Sequence, residues 1–454
     1  MNMKIINCNE LSVQLSDTMM VTSHAILEVL QGRSLTCFLD KIDTPVKRSS
    51  VQSLSFHAMR YLGWASAVGK CLIKKYPNKL FESLWLLSLT LLKFSNLEKN
   101  EKNLKFVPIY KDFVIVNEAV NVTNNMTLLK PYKSLLNAGL RNFLRKRCFL
   151  ENMVEDNLEA CWNYQRWWID NLRSAYYDSW EMMLSLANIP SQLAIRVNTR
   201  QIDRDSVVSI FLENDIDCRR FGDSGIILQK KIISKLDNLV GFSEGWWCVQ
   251  DAGAQLAGSI LGVEDGMSVL DACAAPGGKA SHLLELANIN LLALDCDEVR
   301  LNRMKQNLER LRLYSDNVKL MHADAMDLEK WWDGKLFDAV LADVPCSASG
   351  IVRKHPDIRW LRKESDIKKF VLRQIKIIDA LWNTVAPGGK MLYVTCSIFY
   401  EECIGQALSF LDRHSDAIFL DSPAQILPVS CNNDNIVSHD GFFYALFKKK
   451  FSFN

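Results

Sequence analysis

From residue 267 onward the chain alternates short apolar segments with amphipathic ones, and most of the apolar segments close on an acid or a thiol. The segments are MSVLDA beginning at 267, NLLALD ending at Asp295, VKLMHAD ending at Asp324, FDAVLAD ending at Asp343 and KMLYVTC ending at Cys396. Strand alternating with helix leaves few architectures open. Each crossover lays a helix on the sheet, so the strands run parallel and both faces are covered. Ligands of such sheets gather beyond the carboxyl ends of the strands, where the acids and thiols of this sequence fall. The pattern predicts an α/β domain over residues 245–454, opening at GWWCVQDAGAQLAG (Gly245 to Gly258).

The front of the chain has another character. Residues 1–150 hold few glycines and little β-branched alternation, which predicts an all-α module. In LLNAGLRNFLRKR, Leu136, Leu140, Phe143 and Leu144 recur at three- and four-residue spacing, leaving Arg141, Arg145, Lys146 and Arg147 on the opposite side. The same 150 residues carry 21 Lys and Arg against 10 Asp and Glu, and the remainder carries 33 against 42. That asymmetry suits a basic module holding a polyanion in front of an acidic body. Residues 151–180 read as an acidic, aromatic helical connector. Residues 181–244 read as a small α/β region, with a strand at QLAIRVNT and a helix capped by Asp203.

Other classes are disfavoured. The apolar window from Ser83 to Phe94 is far shorter than the roughly 20 residues that span a bilayer, so a buried helix is expected and no membrane association. MNMKIINCNE lacks the basic start and apolar core of a secretory signal. The 13 cysteines form no C-x-x-C pair and no Cys/His cluster at zinc spacing. Reduced thiols, no metal and a cytoplasmic location follow as expectations.

The turn after the first strand, DACAAPGGKASHLLE from Asp271 to Glu285, brings Gly277 and Gly278 to the start of a helix. Glycines there let backbone approach a ligand, and the helix offers free N–H groups. The spacing is neither that of a dinucleotide fingerprint nor that of a P-loop. A nucleoside without a polyphosphate fits better. Asp295, 24 residues beyond Asp271, is placed to accept hydrogen bonds from ribose hydroxyls, and Asp324 to hold the edge of a base.

Three long segments carry a family resemblance: DACAAPGGKASHLLE, ADVPCSASGIVRKHPDIRWLRK and GGKMLYVTCSIFYEE. Together with RVNT at 196–199 and VQDAGAQ at 249–255, they resemble the RNA cytosine-5 methyltransferases of the Nol/Nop/Sun family, of the bacterial ribosomal-RNA Sun type. The resemblance implies a Rossmann-like class I methyltransferase domain preceded by a NusB-like RNA-binding domain. It implies S-adenosyl-L-methionine as cofactor, held by Cys273, Ala274, Ala275, Pro276, Gly277, Gly278 and Lys279 together with Asp295, Asp324 and Asp343. The partner it implies is 16S rRNA, and a monomer is expected. Val344, Tyr400 and Cys403 depart from the family pattern, which bears on local capping and pocket shape.

Carbon 5 of cytosine is too poor a nucleophile to take a methyl group unaided, but a thiolate added to carbon 6 makes the ring an electron-rich enamine. Two thiols stand at strand ends, Cys346 and Cys396, and neighbouring parallel strands would bring them together. The resemblance gives the nucleophilic role to Cys396 and product release to Cys346. Asp343, three residues before Cys346, is placed to hydrogen-bond the cytosine. The basic and aromatic run IVRKHPDIRWLRK, with Arg353, Lys354, His355, Arg359, Trp360, Arg362 and Lys363, is expected to contact single-stranded RNA. Two rival readings stay open: a cytosine methyltransferase acting on tRNA or DNA, and a catalytically silent RNA-binding assembly factor.

Overall fold

The structure is a computed structural model and describes residues 14–95, 97, 107–229, 236–428 and 439–451. The opening MNMKIINCNE, read above for a signal, lies outside the described residues. The chain divides into two compact units. One is Met1–Asn171 with His355–Arg362, and the other is Leu172–Lys354 with Lys363–Asn454.

The first unit is all-α among its described residues. The apolar window forms the helix Lys79–Lys93, started by Asn78, whose side chain accepts from the Phe81 N–H at 2.8 Å. Leu84, Trp85, Leu87 and Leu91 are wholly buried on it. The basic segment lies on the helix Lys133–Met153, with Leu136, Leu140 and Phe143 buried and Arg141, Arg145 and Lys146 exposed. Arg147 departs from the expectation: it turns inward to the Leu92 carbonyl and the Ser95 hydroxyl. On the long helix Pro45–Leu72, Gly63 is required because a Cβ there would lie 2.2 Å from the Glu159 carbonyl oxygen.

His57 is buried beside this core, with Nε2 2.9 Å from the Thr90 carbonyl oxygen. Burial pushes its pKa down to about 4, against about 6.5 in an unfolded chain. Between those values the unfolded chain takes up the proton and the folded one does not, so stability falls as pH drops. The group should cost about 1.4 kcal/mol per pH unit below pH 6.5. Urea unfolding between pH 7 and 5 should show that slope, and His57→Gln should lower it by about one proton.

Residues 355–362 enter this helical unit from the middle of the other. Asp357 accepts from the Leu35 N–H at 3.0 Å, capping the helix Leu35–Leu39. Trp360 donates to the Met59 carbonyl at 2.7 Å, and Arg359, with no exposed surface, lies over the Tyr164 ring at 4.2 Å. Gln165 closes the hook by donating to the carbonyls of Arg359 and Arg362 at 2.7 and 2.8 Å.

The second unit holds two sheets. The smaller is antiparallel, in the order β2-β3-β1-β4, from β1 (Leu193–Val197), β2 (Cys218–Phe221), β3 (Gly225–Leu228) and β4 (Trp247–Val249). Sequence reading finds β1 and the Asp203-capped helix Arg204–Glu213, whose cap accepts from Ser206 N–H at 2.9 Å. It leaves β2 and β3 unnamed, and it places β4 at the head of the larger domain, whereas β4 is hydrogen-bonded to β1.

The larger sheet contains the five expected strands: β5 (Ser268–Ala272), β6 (Asn290–Asp295), β7 (Val318–His322), β8 (Phe337–Asp343) and β9 (Val385–Thr395). Two more, β10 (Ala417–Ile426) and β11 (Phe442–Lys449), complete the order β10-β11-β9-β8-β5-β6-β7. The pairs among β5 to β9 are parallel, and β11 is antiparallel to both its neighbours. Apolar clusters fill both faces of this sheet. No helix among the described residues is long and apolar enough to cross a membrane.

Candidate active site

β8 and β9 are parallel neighbours with Asp343 opposite Val394. The crossover between them contains the helix Glu364–Trp382. Cys346 lies three residues past the end of β8 and Cys396 directly follows β9, so this register brings their sulfurs to 3.4 Å. The Gly350 N–H donates to the Cys396 carbonyl at 2.9 Å and ties the two turns together. The hydrogen bond with Cys396, and then burial, hold the Cys346 thiol well above its ordinary range. Cys346 therefore keeps its proton at neutral pH.

Asp343 closes β8 and takes the Lys279 ammonium at 2.6 Å. Burial opposes the ammonium, but Asp343 outweighs it, aided by Cys396 and Asp271, and the lysine pKa ends above its usual value. A permanent cation thus stands near Cys396. Electrostatic help of this kind is what a thiolate at neutral pH needs.

The turn from Cys273 to Lys279 curls over the end of β5. Gly277 has φ +93°, and a Cβ on it would lie 2.5 Å from the Cγ of Met304. Only glycine fits there. Asp295 is 3% exposed; its carboxylate accepts from the N–H groups of Ala275 at 3.0 Å and Asp297 at 2.9 Å, so it holds the turn in place. Asp324 lies two residues beyond β7 and accepts from the Met326 N–H at 3.0 Å. Beneath the turn, Asp271 is fully buried and neither carboxyl oxygen has a hydrogen-bond partner. Burial, then the nearby Asp343, raises its pKa well above the usual carboxylate range. The helix Gly278–Leu286 that follows is braced by Arg196 of β1. That wholly buried guanidinium pairs with Glu285 at 2.7 Å and also donates to Ser281 Oγ at 2.9 Å and the Gly278 carbonyl at 2.7 Å.

Comparison with known proteins agrees with this arrangement. Residues 259–448 match the family described as 16S rRNA methyltransferase RsmB/F, and residues 164–233 match the ferredoxin-like domain described for RsmF/B-like methyltransferases. The chain is 33% identical over 432 residues to ribosomal RNA small subunit methyltransferase B of Serratia proteamaculans, covering 94% of this chain and 97% of that one. The chain belongs to the 16S rRNA methyltransferase RsmB/F family. The Vibrio vulnificus protein of the same description is 37% identical over 324 residues, covering 70% of this chain and 74% of its own. A solved structure described as that of PH0851 shares the fold, with a TM-score of 0.75 and 22% identity over 95% of this chain and 99% of that one.

RsmB/F membership brings S-adenosylmethionine as the cofactor, and the residues fit it. The cofactor carries a sulfonium and an ammonium, both cations. The carboxyls of Asp271, Asp295, Asp324 and Asp343 lie at or just past the ends of adjacent strands, and one of them, Asp271, is buried without a partner. A cationic ligand relieves that burden better than water-free burial does.

The structure corrects one RNA contact read from the sequence. In the run 351–363, Arg353 and Arg359 are buried and Lys354 pairs with Asp251 and with Asp440, the latter at 3.2 Å. Arg353 donates to the Ile189 carbonyl at 3.1 Å, and Trp360 is committed to Met59. Only Lys363 of the named residues is exposed. Basic residues interleaved with an aromatic gave an RNA-like signature, but Arg353, Lys354, Arg359 and Trp360 fasten this segment to other parts of the same chain. Sequence reading also missed Glu402, which is fully buried and accepts from Ser347 N–H at 2.8 Å and Ser397 Oγ at 2.6 Å. Its position in an acidic pair ahead of a helix looks like an ordinary first-turn acid, and nothing local signals its burial.

Proposed function

We propose that this protein transfers the methyl group of S-adenosylmethionine to carbon 5 of a cytosine in 16S rRNA through a transient Cys396–cytosine bond, acting in the cytoplasm as a monomer. The observation that carries the reading is the pair of sulfurs 3.4 Å apart at the ends of β8 and β9, beside the Asp343–Lys279 ion pair. The bound cofactor supplies an electrophilic methyl group.

The target base must first leave its stack. Asp343 and Lys279 then present an acceptor and a donor side by side, matching the exocyclic amine and the ring nitrogen of cytosine. Cys396 adds as thiolate to carbon 6, and the displaced electron pair makes carbon 5 nucleophilic. After methylation carbon 5 carries both a hydrogen and a methyl group. With Cys396 bonded to carbon 6, its hydrogen bond with Cys346 is lost; Cys346 gives its own proton to solvent, and the resulting thiolate, carried 3.4 Å from the Cys396 sulfur in the free protein, takes the proton from carbon 5. Loss of the proton restores the ring and expels Cys396 as thiolate.

The NusB-like helical module is assigned to RNA capture through Arg141, Arg145 and Lys146, the exposed part of its basic helix. Replacing all three by alanine should weaken RNA binding, with the log–log salt slope reduced by up to about 0.7 per lost phosphate contact. Cofactor affinity should not move. An unchanged salt slope would remove that role.

The direct test is tritium transfer from labelled cofactor to unmodified 16S rRNA, with the product located by bisulfite sequencing. Label at one cytosine is expected. Label in tRNA alone would overturn the substrate, and RNA binding without any transfer would favour the assembly-factor reading.

A further inference from the structure

β9 ends at Thr395, and after it Tyr400–Glu402 make one short turn before the helix Ile404–Arg413. The Glu402 side chain points back under the strand ends and has no exposed surface. Its carboxylate accepts from four donors: the Ser347 N–H at 2.8 Å, the Ser347 hydroxyl, the Ser397 hydroxyl at 2.6 Å and Gln374 Nε2 at 3.1 Å. Ser347 follows Cys346, and Ser397 follows Cys396. One carboxylate thus holds the residue next to each thiol.

The surroundings reinforce the grip. Gln374 Nε2 also donates to the Pro345 carbonyl at 3.0 Å, on the other side of Cys346. The Tyr393 hydroxyl donates to the Glu402 carbonyl at 2.8 Å, and the Ser349 and Ser397 hydroxyls meet at 3.0 Å. Four convergent donors require an acceptor-only group, which among side chains of this size is the ionised carboxylate. Burying that charge is costly, and an apolar filler would serve packing as well or better. The cost makes sense if the quantity being fixed is geometry.

We infer that Glu402 is a positioning residue for the methyl-transfer reaction, clamping the Ser347 and Ser397 turns so that the Cys346 and Cys396 sulfurs face one cytosine in succession. The inference rests on the roles given to the two thiols above. It touches neither substrate nor cofactor, so its loss should act on the chemical steps and not on binding.

The test compares wild type with Glu402→Gln, in which an amide nitrogen replaces one acceptor oxygen and faces the donors. KM for 16S rRNA and cofactor affinity should stay within about twofold, while kcat falls by about 100-fold or more, the scale of an ångström-sized misplacement. Ser347→Ala and Ser397→Ala, which each remove one donor and leave the charge, should show smaller losses of kcat with the same unchanged binding. If Glu402→Gln does not fold, those two variants decide. Wild-type kcat in Glu402→Gln, or in both serine variants, overturns the clamp, as does a loss of kcat matched by a loss of cofactor affinity. A wild-type kcat in Glu402→Gln beside an inactive Cys396→Ser overturns the clamp alone; a wild-type rate in Cys396→Ser overturns the thiol assignment.

Discussion

Cys396→Ser protein is expected to bind S-adenosylmethionine and RNA as the wild type does and to transfer methyl groups slower by about 10^4-fold or more, the scale on which removing a covalent nucleophile acts. Serine fills nearly the same volume at a half-buried position, so the fold should be unaffected. What disappears is the sulfur: a hydroxyl has no thiolate-like form near neutral pH and cannot open the ring at carbon 6. Single-turnover transfer from labelled cofactor measures the loss. The experiment also separates the RNA reading from the DNA-type alternative, in which the thiol of the Pro-Cys turn attacks. In that case Cys396→Ser would stay active and Cys346 would be the essential group.

Cys346→Ala should fail at the opposite end of the cycle. Attack by Cys396 and methyl transfer can both proceed, but the carbon 5 proton has lost its nearest acceptor. The covalent enzyme–RNA species should therefore accumulate, with steady-state turnover lower by about 10^2- to 10^4-fold, the usual worth of a placed acid or base. A denaturing gel should show a slow band that holds both protein and RNA and is absent from Cys396→Ser. Free turnover without that band would deny Cys346 its role in release. The 3.4 Å separation makes the result sharp, since no other thiol in the described residues is hydrogen-bonded to Cys396.

The carboxyl ends of β5 to β9 were legible because their signal is local and repeated. Five apolar segments, each with polar chemistry at its carboxyl end, dictate a parallel sheet, and the 50-residue spacing of Cys346 and Cys396 leaves room for one crossover. Register does the rest. The last two strands, β10 and β11, were less visible because they come after the last parallel crossover and add antiparallel pairs that no βαβ rhythm announces. Glu402 was hidden for a related reason: its partner Ser397 is close in sequence, but its partners Ser347 and Gln374 are brought to it by tertiary structure. The run around Arg359 misled because charge and aromatic content indicate what a segment can bind, and the binder proved to be another part of the same chain. Arg359 stacks on Tyr164 as it would have stacked on a base.

That hook has a consequence for how such a protein can be cut apart or inherited. The polypeptide leaves the catalytic half nine residues after Cys346, is sewn among the front helices by Asp357, Arg359 and Trp360, and returns at Lys363. The front unit therefore includes a stretch that lies, in sequence, inside the other. A fragment begun after Asn171 would keep the stitch but lose the cloth, baring Ile358, Trp360 and Leu361 to solvent and inviting aggregation. Recombination that swapped the front half for another would have to replace a stretch inside the enzyme as well.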